Sequence, residues 1–289
     1  MYKCVRVKRI FALFVLTVCT LIGVISVGGT VFSEAMHETE EPIFLPAIMY
    51  HSICSNEPRD YSCTPLQLEN DLDWLSRNGY RSVSAKQLID YTEGIGELPD
   101  KPVLITFDDG FYNNLSLALP LLEKYDMNAI VSCVGSFTDI KAPADPHIDN
   151  YSYLTWEDIS SLIASGRVEL GNHTYDLHSV CGERKGCAKL TYESDEEYND
   201  LLCNDIGLMQ RESVINTSCE PVVFAYPFGS ICRESVPLLR KLGFRMTLTC
   251  YESPNYITRD PKCLYGIGRY NRSGLYSTEE FMERIMSRQ

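Results

Sequence analysis

Asp108 and Asp109 stand side by side between the apolar stretch Pro102-Val103-Leu104-Ile105 and Gly110. That is a costly place for two negative charges. A turn capping the next helix would account for one of them, since an Asp side chain bonds readily to nearby backbone N–H groups. Two adjacent carboxylates repel unless a metal or a proton separates their roles, which points to one as a metal ligand and the other as a base. The second constellation is Gly171-Asn172-His173-Thr174-Tyr175-Asp176-Leu177-His178, with its histidines five residues apart. Two imidazoles and a carboxylate leave open positions on a divalent metal, a donor set suited to Lewis-acid catalysis and water activation. Asp176 reads as a turn residue between the histidines, and His147 as a solvated loop histidine without a role.

Both constellations follow apolar strands, and the elements that must position them alternate in type. Strands are expected over Ile43 to Tyr50, ending at His51, and over Tyr80 to Val83, Val103 to Phe107, Ala129 to Val134 and Val168 to Leu170. Further strands are expected over Val222 to Ala225, Arg245 to Thr249 and Leu264 to Ile267. Helices fall between them. Thr64 caps one, with Pro65 at its first position, Gln67 completing a capping box, Leu68, Leu72 and Leu75 as its apolar stripe and Gly79 as its stop. Ser84, Thr155 with Asp158, and Ser194 with Glu197 open others, the last with the stripe Tyr198, Leu202, Ile206 and Met209. Pro120 implies a late or kinked start for the helix through Tyr125. Thr138 to Thr155 reads as a loop, and helices near Val236 to Leu242 and from Thr278 complete the series. Strand-helix repetition implies a parallel sheet, open or closed into a barrel, with chemistry at the carboxyl ends of its strands.

The 289 residues, 45% of them hydrophobic, can bury one substantial core. Residues 1–9 form a basic stub with Lys3, Arg6, Lys8 and Arg9, and residues 10–33 carry no charge. That run can cross a bilayer of about 30 Å as a helix, with the basic end inside. A signal peptide cleaved near Ser33-Glu34-Ala35 is the alternative, but the run exceeds the usual apolar region of about 7–15 residues. A signal-anchor is therefore expected, with residues 34–42 as a linker and residues 43–289 as a domain outside the cell membrane, secreted if the leader is cleaved. Four of the 26 basic and one of the 39 acidic residues precede residue 35, leaving the outer part near −16. Such a surface argues against nucleic acid and anionic lipid and is compatible with a neutral or cationic polymer. Ten cysteines follow the leader. Bridges such as Cys54 to Cys63 or Cys181 to Cys187 are compatible with that compartment, but pairing does not follow from spacing.

Three motifs together carry a resemblance: Thr106-Phe107-Asp108-Asp109-Gly110, His173-Thr174 with His178, and Phe224-Ala225-Tyr226-Pro227-Phe228-Gly229. In this order they resemble the NodB-homology polysaccharide deacetylases of carbohydrate esterase family 4, over roughly Leu45 to Tyr270. The resemblance implies an α/β fold, a distorted, incomplete (β/α) barrel of the polysaccharide deacetylase type. It also implies Asp109, His173 and His178 as ligands of one divalent metal ion, zinc first among zinc, cobalt, nickel and iron, with Asp108 as the base. The five-residue histidine spacing is similar to that of the poly-β-1,6-N-acetylglucosamine deacetylase subgroup.

Three departures from the commonest family pattern bear on the site. The first is the histidine spacing itself, since the usual motif places them four apart. Ala225 occupies the position where many members carry an arginine that contacts the catalytic aspartate, and Arg269 is a substitute for it or else a solvated surface arginine. No histidine follows His178, so the general acid falls to His51, where the same subgroup carries one as though the motif order were circularly permuted. A core histidine bonded to the backbone is the alternative for His51. By the same resemblance the Phe228 backbone N–H supports an oxyanion, and Tyr226 either lines a sugar groove or is simply packed. The expected activity is metal-dependent hydrolysis of N-acetyl groups from an extracellular or cell-wall N-acetylhexosamine polysaccharide, releasing acetate. A peptidoglycan deacetylase and an inactive glycan-binding protein of the same fold are the alternatives.

Overall fold

Pro102–Asp109 is the longest strand among the described residues, and all but the last of its residues are buried. Apolar side chains on both of its faces mark a parallel strand covered on both sides. The computed structural model describes residues 41–54, 58–141 and 147–287. The expected basic stub, membrane span and most of the linker lie outside the described residues.

One sheet contains Ala47–Tyr50 (β1), Arg81–Ser82 (β2), Pro102–Asp109 (β3), Ala129–Cys133 (β4), Val168–Asn172 (β5), Val223–Ala225 (β6), Met246–Leu248 (β7), Tyr265–Ile267 (β8) and Tyr270–Asn271 (β9). Its pairings are parallel, in the order β8-β7-β6-β5-β4-β3-β1-β9, with β2 beside the start of β3. β8 and β9 therefore lie at opposite edges, although only Gly268 and Arg269 separate them in the chain. The three Cα steps from Ile267 to Tyr270 reach about 11 Å at most. The sheet must curl until its edges almost meet, which makes it the incomplete barrel that was expected.

Helices Pro65–Arg77 (α1), Ala85–Thr92 (α2), Leu119–Lys124 (α3), Gly135–Lys141 (α4), Trp156–Ala164 (α5), Asp195–Thr217 (α6), Ser235–Lys241 (α7) and Thr278–Met286 (α8) connect the strands or follow them. The capping boxes at Thr64, Ser84, Thr155 and Ser194 form as expected, and Ser277 makes a fifth with Glu280. Ile48, Ile105 and Val131 pack outward against α1, α5 and α8 through Leu72, Leu162 and Phe281. Their neighbours Ala47, Leu104 and Ile130 join Val223, Ala225 and Leu248 inside the curl. Phe224 and Tyr226 point the other way, toward α6 and α7.

Several expectations change. The first strand breaks at Pro46, which has no N–H to give a ladder. Ile43–Phe44 pairs with Tyr256–Ile257 instead, antiparallel, and only Ala47–Tyr50 joins the sheet. The segment from Thr138, expected as loop, begins inside α4. A π turn over Asn114–Ala118 precedes α3, the late start that Pro120 implied. β9 was not expected, being two residues long. The ten cysteines carry free thiols; Cys54 Sγ lies 2.9 Å from Ser62 Oγ, and Cys63 Sγ donates to the Arg272 carbonyl at 3.0 Å.

Just past β9, Arg272 meets Asp71 of α1 in a pair whose side chains are fully buried. Arg272 Nε donates to Asp71 Oδ2 at 2.6 Å, and Tyr50 and Thr278 hydroxyls donate to the same carboxylate at 2.9 and 2.6 Å. The pair joins β1, β9, α1 and α8, and the bond from Thr278 to Asp71 alone spans 207 positions. Removing one partner strands a buried charge. Arg272→Ala is therefore expected to lower the unfolding free energy by about 3–5 kcal/mol, measured as a drop in urea midpoint at constant m-value; a loss under about 1 kcal/mol would mean that the pair contributes no more than an exposed one.

Candidate metal centre and catalytic cavity

Alternation along a strand would send the Asp108 and Asp109 side chains to opposite faces. Asp108 obeys it and joins Leu104 and Thr106 on the inner face. Asp109 instead has φ of +70°, followed by Gly110 at +73°. Asp adopts this left-handed conformation more readily than most residues, and the turn brings both carboxylates to one cavity. The turn thus begins at Asp109 itself, one residue before the glycine. A Cβ on Gly110 would stand 2.9 Å from Cys133 Sγ, so the next residue must be glycine for space as well as for φ.

Arg269 is fully buried and is no surface arginine. Its two terminal nitrogens donate to the two Asp108 oxygens at 2.7 and 2.6 Å, and the same guanidinium bonds to Thr106 Oγ1 at 3.0 Å and the Thr249 carbonyl at 2.8 Å. Burial alone would raise the Asp108 carboxyl. The Arg269 charge, the His173 ring and the bidentate bonds outweigh it and hold the group well below the usual carboxylate range. Asp108 is an ionised, fixed acceptor inside the barrel.

His173 and His178 arrive from the end of β5. The His173 N–H donates to the Cys133 carbonyl at 3.0 Å, and its ring Nδ1 lies 2.8 Å from the Ala225 carbonyl. A carbonyl can only accept, so Nδ1 carries the proton and Nε2 is the free donor atom, 3.6 Å from Asp109 Oδ1. His178 Nε2 is 3.2 Å from the same oxygen, which is buried and has no well-directed hydrogen-bond donor. Burial holds His173 below its ordinary value, while the Asp109 carboxylate raises His178 against the opposing effect of burial. Ligand atoms of Asp109, His173 and His178 lie within 4.8 Å of one another. Two imidazole nitrogens and one carboxylate oxygen facing a common point fit a divalent metal with open positions.

His51 follows β1 and borders the same cavity of about 670 Å³. Its Nδ1 is buried without a hydrogen-bond partner, and its ring meets Tyr61 edge-on at 5.0 Å. Burial lowers this imidazole despite the two aspartates nearby. Phe228, at φ of +55°, sets its ring 4.7 Å from that of His178. Tyr226 is buried and borders the cavity, with its ring packed behind the cavity wall. Ala225 points into the barrel, so its neighbour Tyr226 points out among Phe224 and Leu239, with its hydroxyl 2.6 Å from Ser235 Oγ. Tyr61, Phe111, Lys185, Glu252 and Asn271 also border the cavity and were not singled out from sequence. Only Phe111, next to Gly110, carried any local signal; the others come from short strands and loops whose arrival depends on the fold.

A family model described as polysaccharide deacetylase matches residues 95–247. The poly-beta-1,6-N-acetyl-D-glucosamine N-deacetylase of Escherichia coli (strain K12) is 28% identical over 223 residues, covering 70% of this chain and 33% of that protein. The chain thus spans about a third of that relative's length. The protein of the same name from Staphylococcus aureus (strain MSSA476) is 23% identical over 209 residues, covering 72% of this chain and 68% of that one. IcaB from Ammonifex degensii superposes with a TM-score of 0.68 at 24% identity, over 85% of this chain and 97% of that chain, a likeness of fold.

The donor set makes a direct prediction. His173→Ala and His178→Ala should each lose the bound divalent metal, because two protein ligands remain. Asp108→Asn should keep it. Metal analysis of the purified variants checks this, and full occupancy in His173→Ala would refute the ligand set.

Proposed function

Because the chain belongs to the polysaccharide deacetylase family, we propose that it is a hydrolase that removes N-acetyl groups from an N-acetylglucosamine polymer, releasing acetate and leaving free amines on the polymer. The observation that carries this reading is the meeting, in one cavity at the carboxyl ends of parallel strands, of an ionised Asp108 fixed by Arg269 with the Asp109, His173 and His178 donor set. One divalent metal ion, zinc first among zinc, cobalt, nickel and iron, would be held by those three residues and would supply Lewis-acid polarisation of the acetamide carbonyl and acidification of water.

The chain's own residues divide the proton work. Asp108, ionised and unable to turn because Arg269 holds both of its oxygens, accepts the proton of the attacking water. The Phe228 backbone N–H supports the oxyanion of the tetrahedral intermediate. His51 delivers a proton to the nitrogen as the carbon–nitrogen bond breaks; the lowered affinity for protons that burial imposes makes its imidazolium the stronger donor. Arg269 takes the place left by Ala225, reaching Asp108 from the link between the edge strands.

A glycan-binding protein without turnover is disfavoured by the retention of both aspartates and both histidines in bonding range. Between a poly-β-1,6-linked N-acetylglucosamine and peptidoglycan, the two relatives' names favour the first. The proposed setting is the outer face of the cell membrane, with the run from Ile10 to Ser33 as anchor. Recovery of the protein in the soluble culture fraction with its N-terminus near Met36 would replace the anchor with a cleaved leader.

Acetate release from a panel of N-acetylated glycans tests the activity, and His51→Ala tests the division of labour. An amine is a very poor leaving group unless protonated, so this variant should lose about 10²–10⁴ in kcat on the polymer. It should keep its metal and hydrolyse an activated ester with little loss, since that leaving group needs no proton. Equal losses on amide and ester would make His51 a structural or substrate-binding residue.

A further inference from the structure

The six residues from His173 to His178 make an unusual backbone. Thr174 is fully buried, has φ of +75°, and leaves its hydroxyl without a hydrogen-bond partner. A β-branched residue in that conformation is strained and must be held by its surroundings. The grip comes from two sides. The N-terminal turn of α4 holds the carbonyls, with the Gly135 N–H donating to Thr174 O at 3.1 Å and the Ser136 N–H donating to Tyr175 O at 2.7 Å. The N–H groups on the other side converge on one side chain of α6. Asp205 Oδ1 accepts from the Tyr175 N–H and Oδ2 from the Asp176 N–H, both at 2.8 Å, and the Leu177 N–H is directed at the same carboxylate.

We infer that Asp205 is the positioning residue of the histidine pair, its carboxylate gathering three consecutive N–H groups so that His178, five residues after His173, reaches the same point beside Asp109. The inference rests on the reading of Asp109, His173 and His178 as metal ligands. A carboxylate suits the task because it is acceptor-only and has two oxygens, so it satisfies several N–H groups of a tight turn at once. An asparagine would turn a donor toward one of them. The Leu177 N–H adjoins His178, and the His173 side is fixed separately by Asn172, whose Oδ1 accepts from the Thr174 N–H at 2.8 Å while its Nδ2 donates to Gln210 Oε1 at 3.1 Å. α6 thus sets both halves of the loop. Asp205 lies beside the buried Leu202 and Ile206 stripe, which a sequence reading takes for the packing face alone.

The test compares Zn²⁺ affinity, by chelator competition on the full chain, for wild type, Asp205→Asn, Asp205→Ala and Ser213→Ala. Ser213 is buried on the same helix and bonds to the Met209 carbonyl, so its variant reports any general disturbance of α6. The Kd for zinc should rise about 10–100-fold in both Asp205 variants and stay within about twofold in Ser213→Ala. In metal-free Asp205→Asn the amides of Tyr175, Asp176 and Leu177 should exchange faster with solvent while those of β3 and β4 keep their protection. Unchanged zinc affinity in both Asp205 variants, or an equal loss in Ser213→Ala, overturns the inference and leaves the ligands in place. Wild type that binds no zinc overturns the ligand reading and this inference with it. Should neither Asp205 variant fold, amide exchange in metal-free wild type decides: protection at Tyr175 to Leu177 like that of β5 supports a preset loop, and exchange at the rate of an open loop overturns it.

Discussion

The bidentate pair between Arg269 and Asp108 is the contact on which the rest of the molecule depends. Burying two charges costs several kcal/mol each, and their attraction offsets this only with good geometry and full hydrogen bonding. Arg269 meets that condition with bonds to Asp108, Thr106 and the Thr249 carbonyl. It does so from the two-residue link between the edge strands of the curled sheet. From that link Arg269 bridges the Thr249 carbonyl just after β7 to Thr106 and Asp108 of β3, and the same pair keeps Asp108 ionised. Three residues further on, Arg272 repeats the device toward the helical layer with Asp71. The short segment from Arg269 to Arg272 thus ties the active centre to the closure of the fold.

Strain collects around the same centre. Of the described non-glycine residues with positive φ, Asp109 and Phe228 line its cavity and Thr174 lies in the loop between its two histidines. Such conformations cost of order 1–3 kcal/mol each and persist only where surrounding structure enforces them. Each does identifiable work here. Asp109 must leave strand alternation to share a cavity with Asp108, Thr174 lies within the loop that spaces the two imidazoles, and Phe228 turns out of β6 to stand beside His178. The remaining ones, Asp126, His147 and Ser218, lie away from the centre, and His147 has Asp158 as its partner at 3.0 Å.

Much of this was legible in the chain itself, because capping boxes, proline breaks and apolar stripes act within about four residues. The helix starts at Thr64, Ser84, Thr155 and Ser194, the apolar strand before the paired aspartates and the histidine motif needed no tertiary information. The Asp-Asp, His-His and Tyr-Pro-Phe-Gly motifs in order were enough for the family. What the chain alone could not decide was which way side chains face and which distant groups meet. Tyr226 stood as readily for a groove residue as for a packed one until the parity of β6 set its ring among Phe224 and Leu239 at the cavity border, and Arg269 stood as readily for a surface charge as for the partner of Asp108. These two residues of the Arg269–Asp108 pair lie 161 positions apart. Only the curl of the sheet, which sets β9 beside β1, brings them into contact. No local propensity records a contact of that range, because it exists only once the intervening strands have paired.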